Sequence, residues 1–274
     1  MIPAAFDYVR AESADHAVEL LGEHGDDAKL LAGGHSLLPM MKLRLAVPAV
    51  LVDVGRLDDL SYVRDAGDHI AIGALTTHHQ LETSDLLAEQ CPLVKGVAAV
   101  VGDPQVRHCG TLGGSIAHSD PASDLPAAIL ALGGTLVAKG PGGERQIPAS
   151  EFFTGYFESA LGPDELLTEI RLPKTPGARW SYQKFNRRAQ DWAIVGAMVV
   201  HNGHTGVGLV NMGSTPLRAT AVESAIASGA SAAEAAEAAT EGTSPTDDLN
   251  ADAEYRRHLA RVLTRRALQE VGLG

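Results

Sequence analysis

The sequence predicts an α+β protein. Three observations carry that prediction. Short apolar runs of strand length alternate with stretches of helical spacing from the N-terminus to residue 173. Turn signals sit between strand-like runs at Asp65-Ala66-Gly67-Asp68, Gly140-Pro141-Gly142-Gly143 and Asn202-Gly203. From Ala219 onward the chain reads as helix alone. No fixed period suggests a repeat architecture.

The elements follow in order. Ser13 can cap a helix to His24, with Ala17, Leu20 and Leu21 as its apolar stripe and Gly25 as its stop. Lys29 to Leu31 reads as a strand entering a glycine turn. Leu37 to Leu43 makes one or two helical turns after it, and Ala49 to Val54 is a second strand, so residues 1–55 form a small β-α-β unit. In residues 56–173, Tyr62 to Arg64 and His69 to Ile72 form a hairpin, Thr76 to Leu87 and Leu93 to Val101 are helical, and Gly102 to Ser119 is a long loop. Pro121 suits the first turn of a helix that runs to Leu132. Thr135 to Ala138, Glu144 to Ile147 and Leu166 to Leu172 are strands. Lys174-Thr175-Pro176-Gly177 reads as a linker. Beyond it, residues 178–274 hold strands at Tyr182 to Phe185, Ala193 to His201 and Gly206 to Met212, then helices at Ala219 to Ser228, Ser231 to Thr240 and Ala253 to Val271.

Composition narrows the function. The chain has 274 residues, 45% hydrophobic and 20% charged, which is ordinary for a soluble globular protein. No apolar run approaches the roughly 20 residues that span a bilayer. Met1 to Asp7 lacks the basic-then-apolar pattern of a signal peptide. The expected location is the cytoplasm, free or in a complex peripherally associated with the inner membrane face. A net charge of -12 argues against nucleic-acid binding, which rests on Lys and Arg meeting phosphates. Cys91 and Cys109 supply neither a disulfide framework nor a four-thiolate iron–sulfur site. His16, His24, His35 and the pair His78-His79 show no metal-ligand spacing, so no metal is expected in this chain.

Two glycine-rich turns stand out. The first is Ala32-Gly33-Gly34-His35-Ser36, and the second is Gly110-Thr111-Leu112-Gly113-Gly114-Ser115. Glycine permits positive φ and lets a ligand approach main-chain N–H groups. Successive N–H groups in such a turn form an anion-binding nest, and two nests can hold a diphosphate from both sides. Taken singly, each Gly-Gly pair is an ordinary turn. The dinucleotide fingerprint Gly-x-Gly-x-x-Gly is absent: Gly206-Val207-Gly208 lacks the third glycine and lies between strands. Gly34-His35-Ser36 partly matches a nucleophile elbow, but Leu38 stands where that motif needs glycine.

Three long segments carry a more specific resemblance: LAGGHSLLPMMKLRLA at 31–46, GDPQVRHCGTLGGSIAHSDPASDLPA at 102–127 and YQKFNRRAQDWA at 182–193. With these in this order, the chain resembles, along essentially its whole length, the FAD-binding medium subunits of molybdenum hydroxylases (the xanthine dehydrogenase family). Within them it is most similar to the carbon monoxide dehydrogenase branch. The resemblance implies a two-subdomain FAD-binding unit of the vanillyl-alcohol-oxidase (PCMH) type at 1–55 and 56–173. A C-terminal antiparallel sheet with a helical bundle would follow at 178–274. It implies that the backbone of Ala32 to Ser36, followed by Leu37, and of Thr111 to Ser115 binds the FAD diphosphate. Lys29 and Leu30 would border the adenine side. Asp124 would accept hydrogen bonds from sugar or ribityl hydroxyls, with a plain helix first-turn carboxylate as the alternative. Leu167 would contact adenine or the ring system, or be an ordinary core residue. Lys184 would lie near the flavin, where its charge favours anionic reduced flavin, or else be a solvated strand lysine. Trp192 stands where relatives often have a tyrosine shielding one flavin face, with a core tryptophan as the alternative. Leu112 replaces a usual isoleucine, and Ser115 a common asparagine.

The implied role is electron exit, with no catalytic residue in this chain. A large molybdenum subunit, bearing the molybdenum cofactor, would oxidise the substrate. A small iron–sulfur subunit would pass electrons through [2Fe-2S] clusters to the flavin, and an acceptor such as quinone would take them. The expected assembly is a dimer of heterotrimers. Three alternatives stay open: a sister enzyme acting on a purine, N-heterocycle or aldehyde; a stand-alone flavin reductase using NADPH; and an assembly subunit without flavin.

Overall fold

The computed structural model describes residues 1–274. The chain opens with β1 (Asp7–Arg10), α1 (Ala14–His24), β2 (Ala28–Leu31), α2 (Leu37–Lys42) and β3 (Val50–Asp53). The strands are parallel, in the order β1-β3-β2. Ser13 Oγ accepts the His16 N–H at 3.0 Å to start α1, and Gly25 at φ 53° ends it. The buried Ala17, Val18, Leu20 and Leu21 of α1 share an apolar cluster with Val50 and Val52. The sequence showed no sign of β1, because Val9 is its only even partly buried residue and no apolar alternation marks it.

The next strands are β4 (Val63–Asp65), β5 (His69–Gly73), β6 (Thr135–Gly140), β7 (Gly143–Pro148), the small hairpin β8 (Phe153–Gly155) and β9 (Glu158–Ser159), and β10 (Leu166–Pro173). Five of them form an antiparallel sheet ordered β4-β5-β10-β6-β7, so the last strand in sequence lies in the middle. A bulge interrupts β10: Leu167 faces Ala138 and Glu169 faces Val137, leaving Thr168 unpaired in the register. Thr168 Oγ1 donates to the Val137 carbonyl at 3.1 Å, while its own carbonyl accepts the Ala74 N–H at 2.9 Å.

The helices between these strands depart from expectation in three places. The single helix expected at Thr76 to Leu87 is two, α3 (His78–Thr83) and α4 (Asp85–Gln90). Ser84 is extended and caps α4 by accepting the Leu87 N–H at 3.2 Å. After α5 (Pro92–Ala99), the expected loop 102–119 contains α6 (Pro104–Cys109) and α7 (Leu112–His118). Asp103 caps the first and Thr111 the second. Helices this short present no full amphipathic period, so the sequence did not reveal them. Finally, α8 (Asp124–Leu132) starts after Pro121 rather than at it.

Beyond α9 (Ala149–Phe152), residues 179–218 form an antiparallel sheet of β11 (Arg179–Asn186), β12 (Ala193–His201), β13 (Thr205–Val210) and β14 (Leu217–Arg218), in that order. Helices α10 (Thr220–Ala227), α11 (Ala232–Glu237) and α12 (Ala253–Glu270) cover the face carrying Val195, Ala197 and Val199. Helix α8 covers the other face. A Cβ on Gly206 would lie 2.0 Å from the Ala131 carbonyl oxygen, and one on Gly208 would lie 2.5 Å from that of Ala127. Those glycines let β13 rest on the helix backbone. The largest apolar cluster accordingly runs from Ile72 and Leu136 through Leu125 and Ile129 to Met198 and Val200.

Glu169 is the buried charge of the middle sheet. Burial alone would raise its pKa. Hydrogen bonds from Tyr62 at 2.7 Å, Arg171 at 2.6 Å and Arg64 at 2.9 Å outweigh that and hold it at about 2. The folded value lies below the unfolded one, so this stabilisation is complete above the unfolded pKa and is lost as pH falls toward 2. Glu169→Gln is expected to cost about 2 kcal/mol at neutral pH, a loss that shrinks steadily in acid. Urea unfolding of both proteins across that range checks it, and a pH-independent loss would refute the assignment.

Candidate functional site

The two glycine turns touch. The first links the end of β2 to α2, and the second links α6 to α7. A Cβ on Gly33 would lie 2.1 Å from the Cys109 carbonyl oxygen and 2.9 Å from Gly110 Cα, so only glycine allows these backbones to meet. Gly34 has φ +73°. The second turn hangs from the segment after β5. The His78 N–H donates to the Gly110 carbonyl at 3.0 Å, the Leu112 N–H to Thr76 at 2.9 Å and the Gly113 N–H to Ala74 at 2.8 Å. Ala74 is itself bonded to the bulge carbonyl of Thr168, so β10 positions the turn through two hydrogen bonds.

The turns differ in the donors they leave free. The N–H groups of Gly33, Gly34, His35, Ser36 and Leu37 meet no acceptor within the protein. Those of Leu112, Gly113, Gly114 and Ser115 are all taken, by Thr76, Ala74, the Thr111 hydroxyl and the Thr111 carbonyl. The first turn therefore offers a row of free main-chain donors, whereas the second leaves only the Thr111 N–H without an acceptor, beside the Thr111 and Ser115 hydroxyls. Gly113 and Gly114 fall in the first turn of α7, whose N–H groups find no partner within the helix, and here the Ala74 carbonyl and the Thr111 cap hydroxyl take them.

Both turns line a cleft of about 910 Å³. Leu167 of β10 and the Asp124–Lys184 pair form part of its wall. Asp124 accepts from the Tyr182 hydroxyl and, at 2.7 Å, from Lys184 Nζ, which also donates to the Val100 carbonyl at 3.1 Å. Burial pushes the Asp124 carboxyl above the usual carboxylate range, and Lys184 and Tyr182 offset part of that rise. Trp192 stands at the cleft edge, 56% exposed. His118 and Phe157 pack ring to ring at 4.9 Å on the same wall.

Residues 4–175 match the family described as FAD binding domain in molybdopterin dehydrogenase, and residues 180–271 match the CO dehydrogenase flavoprotein C-terminal domain. This chain belongs to the FAD-binding subunits of the molybdopterin dehydrogenases. It is 40% identical to the carbon monoxide dehydrogenase medium chain of Hydrogenophaga pseudoflava, over 98% of this chain and 97% of that one. It is 38% identical to the 6-hydroxypseudooxynicotine dehydrogenase complex subunit alpha of Paenarthrobacter nicotinovorans, over 98% and 95%. A solved structure of the Hydrogenophaga pseudoflava carbon monoxide dehydrogenase, lacking the Mo-pyranopterin moiety of its cofactor, superposes with a TM-score of 0.96. That pair shares 42% identity and covers 99% of this chain and 98% of the other.

In this FAD-binding subunit the cleft gathers Lys29, Leu30, Ala32, Gly33, Gly34, His35, Ser36 and Leu37 from one side. Thr111, Gly113, Gly114, Ser115, Asp124, Leu167, Lys184 and Trp192 line the other parts. Leu112 is the exception. Its side chain is fully buried in the core and its N–H is spent on Thr76, so it anchors the turn from behind. Leu167 is both a core residue and a cleft residue. Lys184 is not a solvated strand lysine, since its side chain is 9% exposed and paired. Trp192 is not a core tryptophan. Each Asp124 oxygen already accepts one hydrogen bond, leaving a second lone pair for a ligand. The residue reading missed His78, His118, Phe157 and Met40, which also line the cleft. His118 and Met40 lay within quoted segments, and His78 was weighed only as a metal ligand in the pair His78-His79. Nothing in the sequence marked Phe157, which comes to the cleft through the β8–β9 hairpin.

Proposed function

We propose that this chain is the FAD-carrying medium subunit of a three-chain molybdenum hydroxylase of the carbon-monoxide-oxidising kind. In this reading it takes electrons from [2Fe-2S] clusters of a small subunit and passes them to quinone. The supporting observation is the row of free N–H groups from Gly33 to Leu37 at the mouth of a cleft large enough for a dinucleotide. The residues present fit FAD. The nest suits a diphosphate, the Thr111 and Ser115 hydroxyls stand across from it, and the apolar Leu167 and the Trp192 plane suit a flat ring system. We assign the diphosphate to the nest, with residues 1–55 and 56–173 as two subdomains of a PCMH-type unit and 178–274 as the C-terminal domain. FAD bound there supplies conversion between one-electron and two-electron transfer.

The chain's own residues bind and shield. The nest holds the anion, the Lys184 ammonium keeps a positive charge at the wall, and Leu167 and Trp192 exclude water from the ring. A dimer of three-chain units, held at the cytoplasmic membrane face by its quinone acceptor, completes the proposal. Co-expression with neighbouring reading frames, a cofactor inventory and a CO-dependent dye-reduction assay test it. The complex is expected to contain FAD and to reduce dye with CO, and the isolated chain is expected to turn over nothing. A flavin-free active complex would overturn the reading.

The similarity to the 6-hydroxypseudooxynicotine dehydrogenase complex subunit alpha, 38% identity against 40%, supports a second reading in which the large subunit oxidises an N-heterocycle. The same purified complex, offered such substrates, separates the two. Trp192→Ala is expected to leave unfolding stability within about 0.5 kcal/mol, because the side chain is exposed. It should raise flavin fluorescence several-fold by removing a quenching, shielding ring. Unchanged fluorescence would place Trp192 away from the flavin.

A further inference from the structure

His78 has no assigned role, yet it occupies the seam between the two turns. It is 5% exposed, lines the cleft, and its Nδ1 is fully buried without a hydrogen-bond partner. Its backbone N–H is bonded to the Gly110 carbonyl, which fixes where the ring lies. A Cβ on Gly110 would come within 3.0 Å of the ring's Cδ2 and 3.1 Å of its Nε2, so that edge abuts the strip of backbone that Gly33 also touches. A buried polar ring with one orphaned nitrogen is costly unless the other nitrogen has a partner.

The protonation state follows from the surroundings. Burial lowers the ring's pKa to about 4, and His35 and Arg107 push the same way while Glu82 opposes them. The imidazole is therefore neutral at neutral pH and carries one N–H. Buried N–H groups are left unpaired more rarely than buried acceptors, so we place the proton on Nε2, at the edge beside the turns, with Nδ1 left bare.

Building on the FAD reading above, we propose that His78 is a further diphosphate-contacting residue, donating its Nε2–H to the phosphate bridge beside the Gly33–Leu37 nest. It supplies a side-chain donor on the side of the second turn, where the main-chain amides from Leu112 to Ser115 are already spent. The flavin ring itself makes no use of it.

Flavin titrations of the full chain, purified with its partner subunits and stripped of flavin, test this with two probes, FAD and riboflavin. His78→Leu keeps the volume and removes the donor, whereas His78→Gln keeps a donor. For His78→Leu, FAD affinity is expected to fall about 10-fold or more, the gain typical of one hydrogen bond to a charged acceptor. Riboflavin affinity and the melting temperature of the flavin-free protein should not change. His78→Gln should stay within about 3-fold of wild type, because its amide can replace the donor. The proposal falls if His78→Leu binds FAD like wild type. It also falls if riboflavin binding weakens in parallel, since His78 would then only support the wall. A wild-type protein that binds no FAD would instead defeat the FAD reading on which this rests.

Discussion

Alanine at Gly33 is expected to lower FAD affinity by roughly 100-fold or more, equivalent to about 2.7 kcal/mol. The added Cβ would lie 2.1 Å from the Cys109 carbonyl oxygen and 2.8 Å from its carbon, and both are backbone atoms. Neither can swing aside as a side-chain tip would, so the two turns must part. Anion recognition by N–H groups is lost over displacements of this size, because hydrogen-bond strength falls steeply with distance and angle. The control is Gly22, where an added Cβ meets nothing within 4 Å. Gly22→Ala sits inside α1 and should stabilise the protein by about 0.5–1 kcal/mol with no effect on flavin. Flavin content of the purified complex and FAD titration read both variants. Wild-type flavin content in Gly33→Ala would show that contact between the turns is unimportant to binding.

Replacing Lys184 by Met should have the largest effect on stability, a loss of about 3 kcal/mol or more. Lys184 and Asp124 are respectively 9% and 7% exposed at the side chain, and they pair at 2.7 Å. Removing the ammonium strands a buried carboxylate whose only other side-chain partner is the Tyr182 hydroxyl. Burial already pushes that carboxyl toward the protonated form, so neutralisation limits the damage but does not erase it. The lost bond to the Val100 carbonyl adds to the cost. Asp124→Asn in the same chain should recover at least half of the loss, because no unpaired charge then remains. Denaturant unfolding of the two single variants and the double variant measures this coupling. A double variant no better than Lys184→Met would show that packing, not charge pairing, explains the loss.

Much of this molecule is visible in local sequence. Ser13 and Gly25 bracket α1 because a cap hydroxyl and a positive-φ stop act within a few residues. Asn202-Gly203 turns the β12–β13 hairpin, with Gly203 at φ +76°. The glycine turns were visible for the same reason, and the segments around them identified the family. What escaped was of two kinds. Strand β1 and helices α6 and α7 are too short to show a period. That the amides of Gly113 and Gly114 are taken by Ala74 and Thr111 was also not legible, because the use of an amide depends on what packs behind it.

From the sequence alone came the kinds of element, the glycine-rich first turn and the family. Each rests on interactions among neighbours in the chain or on motifs read in line. The tertiary structure alone decided that β10 enters between β5 and β6, that its bulge suspends the second turn, and that Lys184 reaches Asp124 across 60 positions. The physical reason is shared. Sheet order, burial and the partner of a buried charge are settled by contacts between distant segments, where many pairings have similar local preference and only the packed whole selects one.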